Sequence, residues 1–70
     1  MTWTWDGQGW RAYEGEYVLR VVPRIVGPGR RFIWLVERGY DLLGVGDERE
    51  FSAAQSCARE YAAERVRRKK

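Results

Sequence analysis

Two segments of this chain, residues 17–25 and 31–38, carry apolar side chains on both faces of the strands that they predict. Side chains of an extended strand point alternately to opposite sides, so the residues of both segments divide into two sets. The first set is apolar throughout: Tyr17, Leu19, Val21, Phe32, Trp34 and Val36. The second set mixes aliphatic and charged residues: Val18, Arg20, Val22, Arg24, Arg31, Ile33, Leu35 and Glu37. A sheet that is apolar on both sides needs a second cover, and this need constrains the fold most.

The segment after residue 51 changes from strand spacing to helical spacing. The sequence predicts a helix over residues 52–68. Ser52 is suited to be its N-cap, and Gln55 is placed to complete a capping box. One stripe of this helix consists mostly of small residues: Ala54, Cys57, Ala58, Tyr61, Ala62 and Val66. Small side chains allow a helix to lie close on a sheet with bulky residues, so we expect the helix to cover the first set.

The segments before the helix, residues 2–45, predict antiparallel strands joined by short turns. A first hairpin is expected from residues 2–5 and 10–13, around turn residues 6–9. Pro23 cannot donate to a sheet ladder, so the distal end of its strand is expected at an edge or a bulge. Residues 40–45 predict a short further strand. The 70 residues thus predict one α+β domain, an antiparallel meander of three to five strands with one C-terminal helix packed on one face.

One helix is too small to cover both faces of such a sheet. A helix over residues 52–68 is about 25 Å long and ~10 Å wide, which shields two or three strands on one side. Burial of the four aliphatic residues on the other side is worth about 6–12 kcal/mol at most, as much as the whole stability of a small domain. Three elements could cover these residues: the N-terminal Trp hairpin, a second copy of the chain, or an external partner. The fourth possibility is that they are exposed to solvent.

The residue types exclude most catalytic and metal chemistry. The chain has no His, which removes Ser-His-Asp and Cys-His nucleophiles and most zinc sites. Cys57 is the single cysteine and is expected to act as a small hydrophobic residue on the helix stripe. Gly44-Val45-Gly46 is interpreted as a turn out of a strand. The acidic residues Asp47, Glu48 and Glu50 are expected in a solvated loop before the helix. We predict a non-enzymatic protein with no cofactor, no metal and no small-molecule substrate.

The same composition predicts a cytoplasmic location. A single unpaired thiol fits a reducing compartment, and no apolar run approaches the ~20 residues that span a membrane. The first residues lack the basic and apolar regions of a signal peptide. Eleven of the thirteen basic residues are Arg, which together with the small size fits a phage or mobile-element accessory protein.

Basic residues suggest a second class of function, nucleic-acid binding. The net charge is +3, and cations cluster in the sheet segments and at the C-terminus, where residues 69–70 form the end of a basic tail. Phosphate contacts by such groups need no base recognition. An alternative explanation is structural, because cations stabilise a helix C-terminus and Glu64 can pair with Arg68. The candidate residues are Arg20, Arg24, Arg30, Arg31, Arg65, Arg67, Arg68, Lys69 and Lys70.

Residues 16–66 follow the order strand, strand, strand, helix, and the helix opens with Phe51-Ser52-Ala53-Ala54-Gln55-Ser56-Cys57-Ala58-Arg59-Glu60-Tyr61. This order resembles the AP2 and integrase-arm type of DNA-binding domain. The resemblance implies a three-stranded sheet that enters the major groove, with a helix packed behind it.

The residue pattern itself favours protein interaction over nucleic-acid binding. We expect the chain to self-associate as a homodimer, or to bind another protein, through the second face of the sheet. An apolar centre inside a polar rim is typical of such interfaces. The expected centre is Val18, Val22, Ile33 and Leu35, and the expected rim is Arg20, Arg24 and Glu37. A DNA- or RNA-binding module is the alternative.

Overall fold

The described residues form five strands and one helix that follows them. The computed structural model describes residues 1–27 and 29–68. The elements are β1 (Thr4–Trp5), β2 (Trp10–Glu14), β3 (Tyr17–Val26), β4 (Gly29–Arg38), β5 (Asp41–Glu48) and α1 (Phe51–Arg68). Neighbouring strands pair antiparallel in sequence order, and α1 packs on one face of the sheet. The α+β meander with a C-terminal helix is therefore confirmed. The predicted end of the basic tail, residues 69–70, lies outside the described residues.

The β1–β2 hairpin closes on a turn that Asp6 organises. Its carboxylate oxygen Oδ1 accepts hydrogen bonds from the backbone N–H groups of Gln8 and Gly9, at 3.0 and 2.9 Å. Gly7 adopts a φ of 97°, in the region that favours glycine. The first hairpin is thus confirmed. In its turn the side chain of Asp6 accepts the hydrogen bonds of the backbone N–H groups.

The core lies between the sheet and three alanines of α1. Leu19, Val21 and Val36 are the largest fully buried side chains. The facing alanines, one per helical turn, are Ala54, Ala58 and Ala62, each with no exposed surface. The predicted stripe is correct over these turns but not at its end, because Val66 is 45% exposed. Arg65 takes the last covering position instead, with its guanidinium carbon 5.9 Å from the ring centre of Tyr61.

The helix begins one residue earlier than predicted, at Phe51. The backbone N–H of Ala54 donates to the carbonyl of Glu50 at 3.1 Å, which makes Glu50 the residue that precedes the helix. Ser52 is therefore inside the first turn, and its predicted role as N-cap is wrong. The reason is packing: the ring of Phe51 lies 5.8 Å from those of Trp10 and Phe32, which draws it into the helical stripe.

Two glycines of β5 allow aromatic rings to lie across the strand. A Cβ built on Gly44 would lie 2.7 Å from the Tyr61 ring, and one on Gly46 would lie 2.6 Å from Nε1 of Trp34. The interpretation of this pair as a turn is wrong, because both glycines lie within β5. The strand runs on to Glu48, so Asp47 and Glu48 are strand residues and not part of a loop.

The strands β3 and β4 extend beyond the rest of the sheet. The last β2 pair joins Trp10 to Val21, and the last β5 pair joins Glu48 to Phe32. Beyond these pairs β3 and β4 have only each other, so Pro23 lies where β3 no longer pairs with β2, as predicted. We call the pairs Arg24–Arg31, Ile25–Arg30 and Val26–Gly29 the β3–β4 ribbon. The ribbon contributes to the elongated shape of the molecule, which measures 44 × 21 × 21 Å.

Candidate interaction surface

The N-terminal Trp hairpin does not cover the second face of the sheet. β1 pairs with β2 and extends the same sheet at its edge. The rings of Trp5 and Trp10 lie 5.5 Å apart, and Trp10 contacts Phe51 of α1. Trp3 also packs against the core beneath the helix. These rings add to the side that α1 already covers. We call the opposite side of the sheet the open face, because no element among the described residues packs on it.

Strand register brings the predicted interface residues together on the open face. Arg20 pairs with Leu35, and Val18 and Val22 pair with Glu37 and Ile33. The pair of Arg24 and Arg31 lies on the same side but belongs to the β3–β4 ribbon. The structure therefore places all seven residues on one side of the sheet: Val18, Arg20, Val22, Arg24, Ile33, Leu35 and Glu37. Its four aliphatic members are half-buried by their neighbours.

Three exposed apolar residues enlarge this surface, and the sequence did not predict them. Val45 pairs with Leu35 and is 57% exposed, and Leu42 pairs with Glu37 and is 54% exposed. Tyr13 pairs with Val18 and is 62% exposed. Leu42 and Val45 share a side although they are three residues apart, because Leu43 is the extra residue of a β-bulge. Strict alternation would have placed them on opposite faces.

Two arginines occupy the middle of the open face. Arg11 pairs with Arg20 across β2 and β3, and its guanidinium lies 3.1 Å from the Asp6 carboxylate. A hydrogen bond with Tyr13 raises the pKa of Arg11, and Asp6 and Glu37 add to this effect. The Nε atoms of Arg11 and Arg20 are buried and lack a hydrogen-bond partner within residues 1–27 and 29–68. The aliphatic stems of both arginines therefore pack against neighbours on the sheet.

Charge on the open face is divided between its two halves. The basic residues Arg11 and Arg20 lie on β2 and β3. The acidic residues Glu37 and Asp47 lie on β4 and β5, opposite Val18 and Ile33 in the register. Because Asp6 pairs with Arg11, Arg20 carries most of the positive charge of the β2–β3 half, and Glu37 and Asp47 make the β4–β5 half acidic.

The nine predicted nucleic-acid residues do not form one patch. Arg24, Arg30 and Arg31 lie on the ribbon, at one end of β3 and β4. Arg65 and Arg68 lie near Tyr17, at the other end of the ten-residue strand β3, about 30 Å away. Glu64 pairs with Arg67 at 2.9 Å and with Arg68 at 3.2 Å. Arg20 lies between the two ends, and Lys69 and Lys70 lie outside the described residues.

The one thiol is held against a carboxylate. Cys57 Sγ donates to Oε2 of Glu48 at 3.5 Å. Burial raises the pKa of the Cys57 thiol, and the hydrogen bond and charge of Glu48 raise it further. The neutral thiol is therefore favoured, and it is the thiolate that reacts as a nucleophile. In the part of the chain that the structure describes, no group of three or more His, Cys, Asp or Glu side chains is arranged to hold a metal ion.

Comparison with known proteins gave no match to a family model, to a curated protein or to a solved structure. The resemblance to AP2 and integrase-arm domains therefore stays a prediction, and the sheet has five strands where that resemblance implies three. No helix within residues 1–27 and 29–68 is long and apolar enough to span a membrane. The cytoplasmic location and the phage or mobile-element origin also stay predictions.

Proposed function

We propose that this protein is a non-enzymatic interaction module that self-associates through its open face. The observation that carries the proposal is the position of the Trp hairpin, which extends the sheet beneath the helix instead of covering the other side. Two of the possibilities for the open face therefore remain: a partner covers it, or it is exposed to solvent.

The composition of the open face favours a partner over plain exposure. Val18, Val22, Ile33 and Leu35 are contiguous in the register and adjoin the exposed side chains of Leu42, Val45 and Tyr13. Scattered surface aliphatics are ordinary, but a contiguous apolar patch with a polar rim is typical of an interaction site. Charged residues accompany the patch: Arg20 lies among the aliphatic residues, opposite Leu35, and Glu37 and Asp47 lie beside Val18 and Ile33.

The charge distribution favours a second copy as the occupant. A two-fold axis parallel to the strands, between β3 and β4, would place β3 of one copy over β4 of the other, and β2 over β5. Arg11 and Arg20 of each copy would then face the half that carries Glu37 and Asp47. Such an isologous interface must be self-complementary, and the division of charge within the four-strand region meets that condition. The same axis places the ends of both copies that carry Arg24 and Arg31 at one end of the dimer, beyond this region.

The size of the open face predicts a reversible dimer. Four strands at ~4.8 Å and about seven residues at ~3.4 Å give a footprint of about 450 Å² per copy. Side chains that project from the sheet increase this area. The surface buried on both copies together therefore comes close to the ~1,000 Å² that a specific interface needs. We therefore expect association that depends on protein concentration, with a Kd of about micromolar order.

Sedimentation velocity of two matched variants tests the proposal. Leu42→Asp adds a charge at an exposed position of the open face, and we expect it to shift the protein to monomer because in the proposed orientation the carboxylate would be buried against Tyr13 of the other copy. Val66→Asp is the control, because Val66 is also partly exposed but lies on α1. The control should keep the dimer of the wild type.

Both variants should keep the thermal unfolding midpoint of the wild type, since both sites are exposed. A wild-type protein that is monomeric over the whole concentration range would refute self-association. Equal loss of the dimer in both variants would place the interface elsewhere than the open face.

A further inference from the structure

We infer that the β3–β4 ribbon is a separate binding site, one for the phosphate backbone of duplex DNA. The ribbon lies beyond the last pairs of β2 and β5 and beyond Phe32, where the ring of Phe51 marks the start of α1. Its three residue pairs extend about 10 Å from the body of the molecule. It therefore lies outside the four-strand region of the proposed dimer.

The ribbon concentrates positive charge that no salt bridge among the described residues offsets. Arg24, Arg30 and Arg31 lie on it, and none of them forms a salt bridge with another described residue. The chain contains no Asp or Glu from residue 17 to residue 36. The nearest acidic residues in the register are Asp47 and Glu48, at the last pairs of β5, and Glu48 accepts the hydrogen bond of Cys57. Arginines on a projection are suited to bind phosphate groups.

The arginines point to both sides of the ribbon. Arg24 and Arg31 form a pair on the side of the open face, and Arg30 pairs with Ile25 on the other side. A two-stranded ribbon fits the major groove of B-DNA, which is ~12 Å wide and has phosphates along both walls. The major groove of A-form RNA is too narrow to admit such an element, so duplex DNA is the better ligand.

A hollow at the base of the ribbon offers apolar contact beside the cations. Pro23, Ile25 and Phe32 line it together with Arg24 and Arg30, and its volume is about 300 Å³. Ile25 is 80% exposed, which is unusual for so large an aliphatic side chain. Apolar surface next to arginine suits the alternation of sugar and phosphate along a DNA strand.

The test measures fluorescence anisotropy of a short labelled DNA duplex at low salt. The variant Arg24→Ala/Arg30→Ala removes one charge from each side of the ribbon. The control Arg38→Ala/Arg59→Ala removes the same charge from two residues away from the ribbon, one at the far end of β4 and one on α1. We expect the ribbon variant to bind about tenfold more weakly and to lower the salt slope of log K by about 2, at ~0.9 per lost phosphate contact. The control should keep the wild-type slope.

All of these measurements use the Leu42→Asp background. Every sample is then expected to be monomeric, so differences in DNA binding do not arise from self-association. Arg67→Ala/Arg68→Ala tests the other cluster and should keep the wild-type slope. Equal losses in the ribbon and control variants would show a net-charge effect and overturn the proposal. It would also be overturned by no binding of the wild type at low salt, or by tighter binding of single-stranded DNA than of duplex.

Discussion

The environment of Cys57 gives a residue-scale prediction about reactivity. The thiol is half-buried, it donates to the Glu48 carboxylate, and its pKa is raised above the ordinary value of 9.0. The thiolate fraction near neutral pH is therefore smaller than for a free cysteine, so we expect slow reaction with a disulfide reagent such as DTNB. The rate should rise with pH up to values above 9.0.

Glu48→Gln supplies the matched variant for this prediction. It removes the negative charge and keeps a side chain of similar size, so it should lower the pKa of Cys57 and speed the reaction at a given pH. A wild-type rate equal to that of the urea-unfolded protein would contradict the prediction. The pKa of Cys57 is higher in the folded protein than in the unfolded protein, so the neutral thiol at low pH favours the folded state. The free energy of unfolding should therefore decrease as the pH rises above 9.0 and the thiol ionises.

The strand β5 gives an element-scale prediction about packing. Gly44 lies beneath the ring of Tyr61, and the Tyr61 hydroxyl donates to the carbonyl of Leu43 at 2.6 Å. Replacement of a strand glycine by alanine usually stabilises by about 0.5–1 kcal/mol. Here Gly44→Ala should destabilise by about 1–3 kcal/mol, because the new Cβ would overlap the ring.

A double-mutant cycle in urea checks that mechanism. In the background of Tyr61→Leu the ring is gone, so Gly44→Ala should cost at least about 1 kcal/mol less than in the wild type. Equal costs in the two backgrounds would show that the ring is not the reason for glycine at this position.

The division of charge on the open face gives a prediction at the scale of the whole molecule. In the proposed dimer, Arg20 of one copy faces the half that carries Glu37 of the other. Glu37→Arg should therefore weaken the dimer by about tenfold or more, because like charges would then meet at the interface. Sedimentation velocity at several protein concentrations measures the Kd.

Reversal of both charges separates an interface effect from a fold effect. The double variant Arg20→Glu/Glu37→Arg should recover most of the lost affinity, since it restores opposite charges across the axis. Glu60→Arg, an exposed change of the same charge on α1, is the control and should leave the Kd unchanged. Failure of the double variant to recover would contradict the proposed orientation of the two copies.

Local patterns were sufficient for the fold class and for the two sides of the central strands. Alternation separated Leu19 and Val36, which are buried, from Arg20 and Leu35 on the open face, since a strand side chain has only two directions. The spacing of four between Ala54, Ala58 and Ala62 likewise indicated the buried side of the helix.

The remaining errors all concern contacts between elements. Ser52 looked like an N-cap because its local sequence permits it, but the packing of Phe51 on Trp10 and Phe32 decided where the helix begins. Gly44 and Gly46 looked like a turn because nothing near them in the chain shows the rings of Tyr61 and Trp34. Leu42 and Val45 were missed because a bulge changed the phase of β5.

The sequence by itself determined that the central strands are apolar on both sides and that one helix is available to cover them. Those properties depend on backbone periodicity, which is local. The tertiary structure alone decided that the Trp hairpin extends the sheet, that Arg20 lies on the opposite half of the open face from Glu37 and Asp47, and that two groups of arginines lie at opposite ends of β3. The physical reason is that strand order, register and bulges follow from pairing between distant segments, and the spacing of residues within one segment does not encode them.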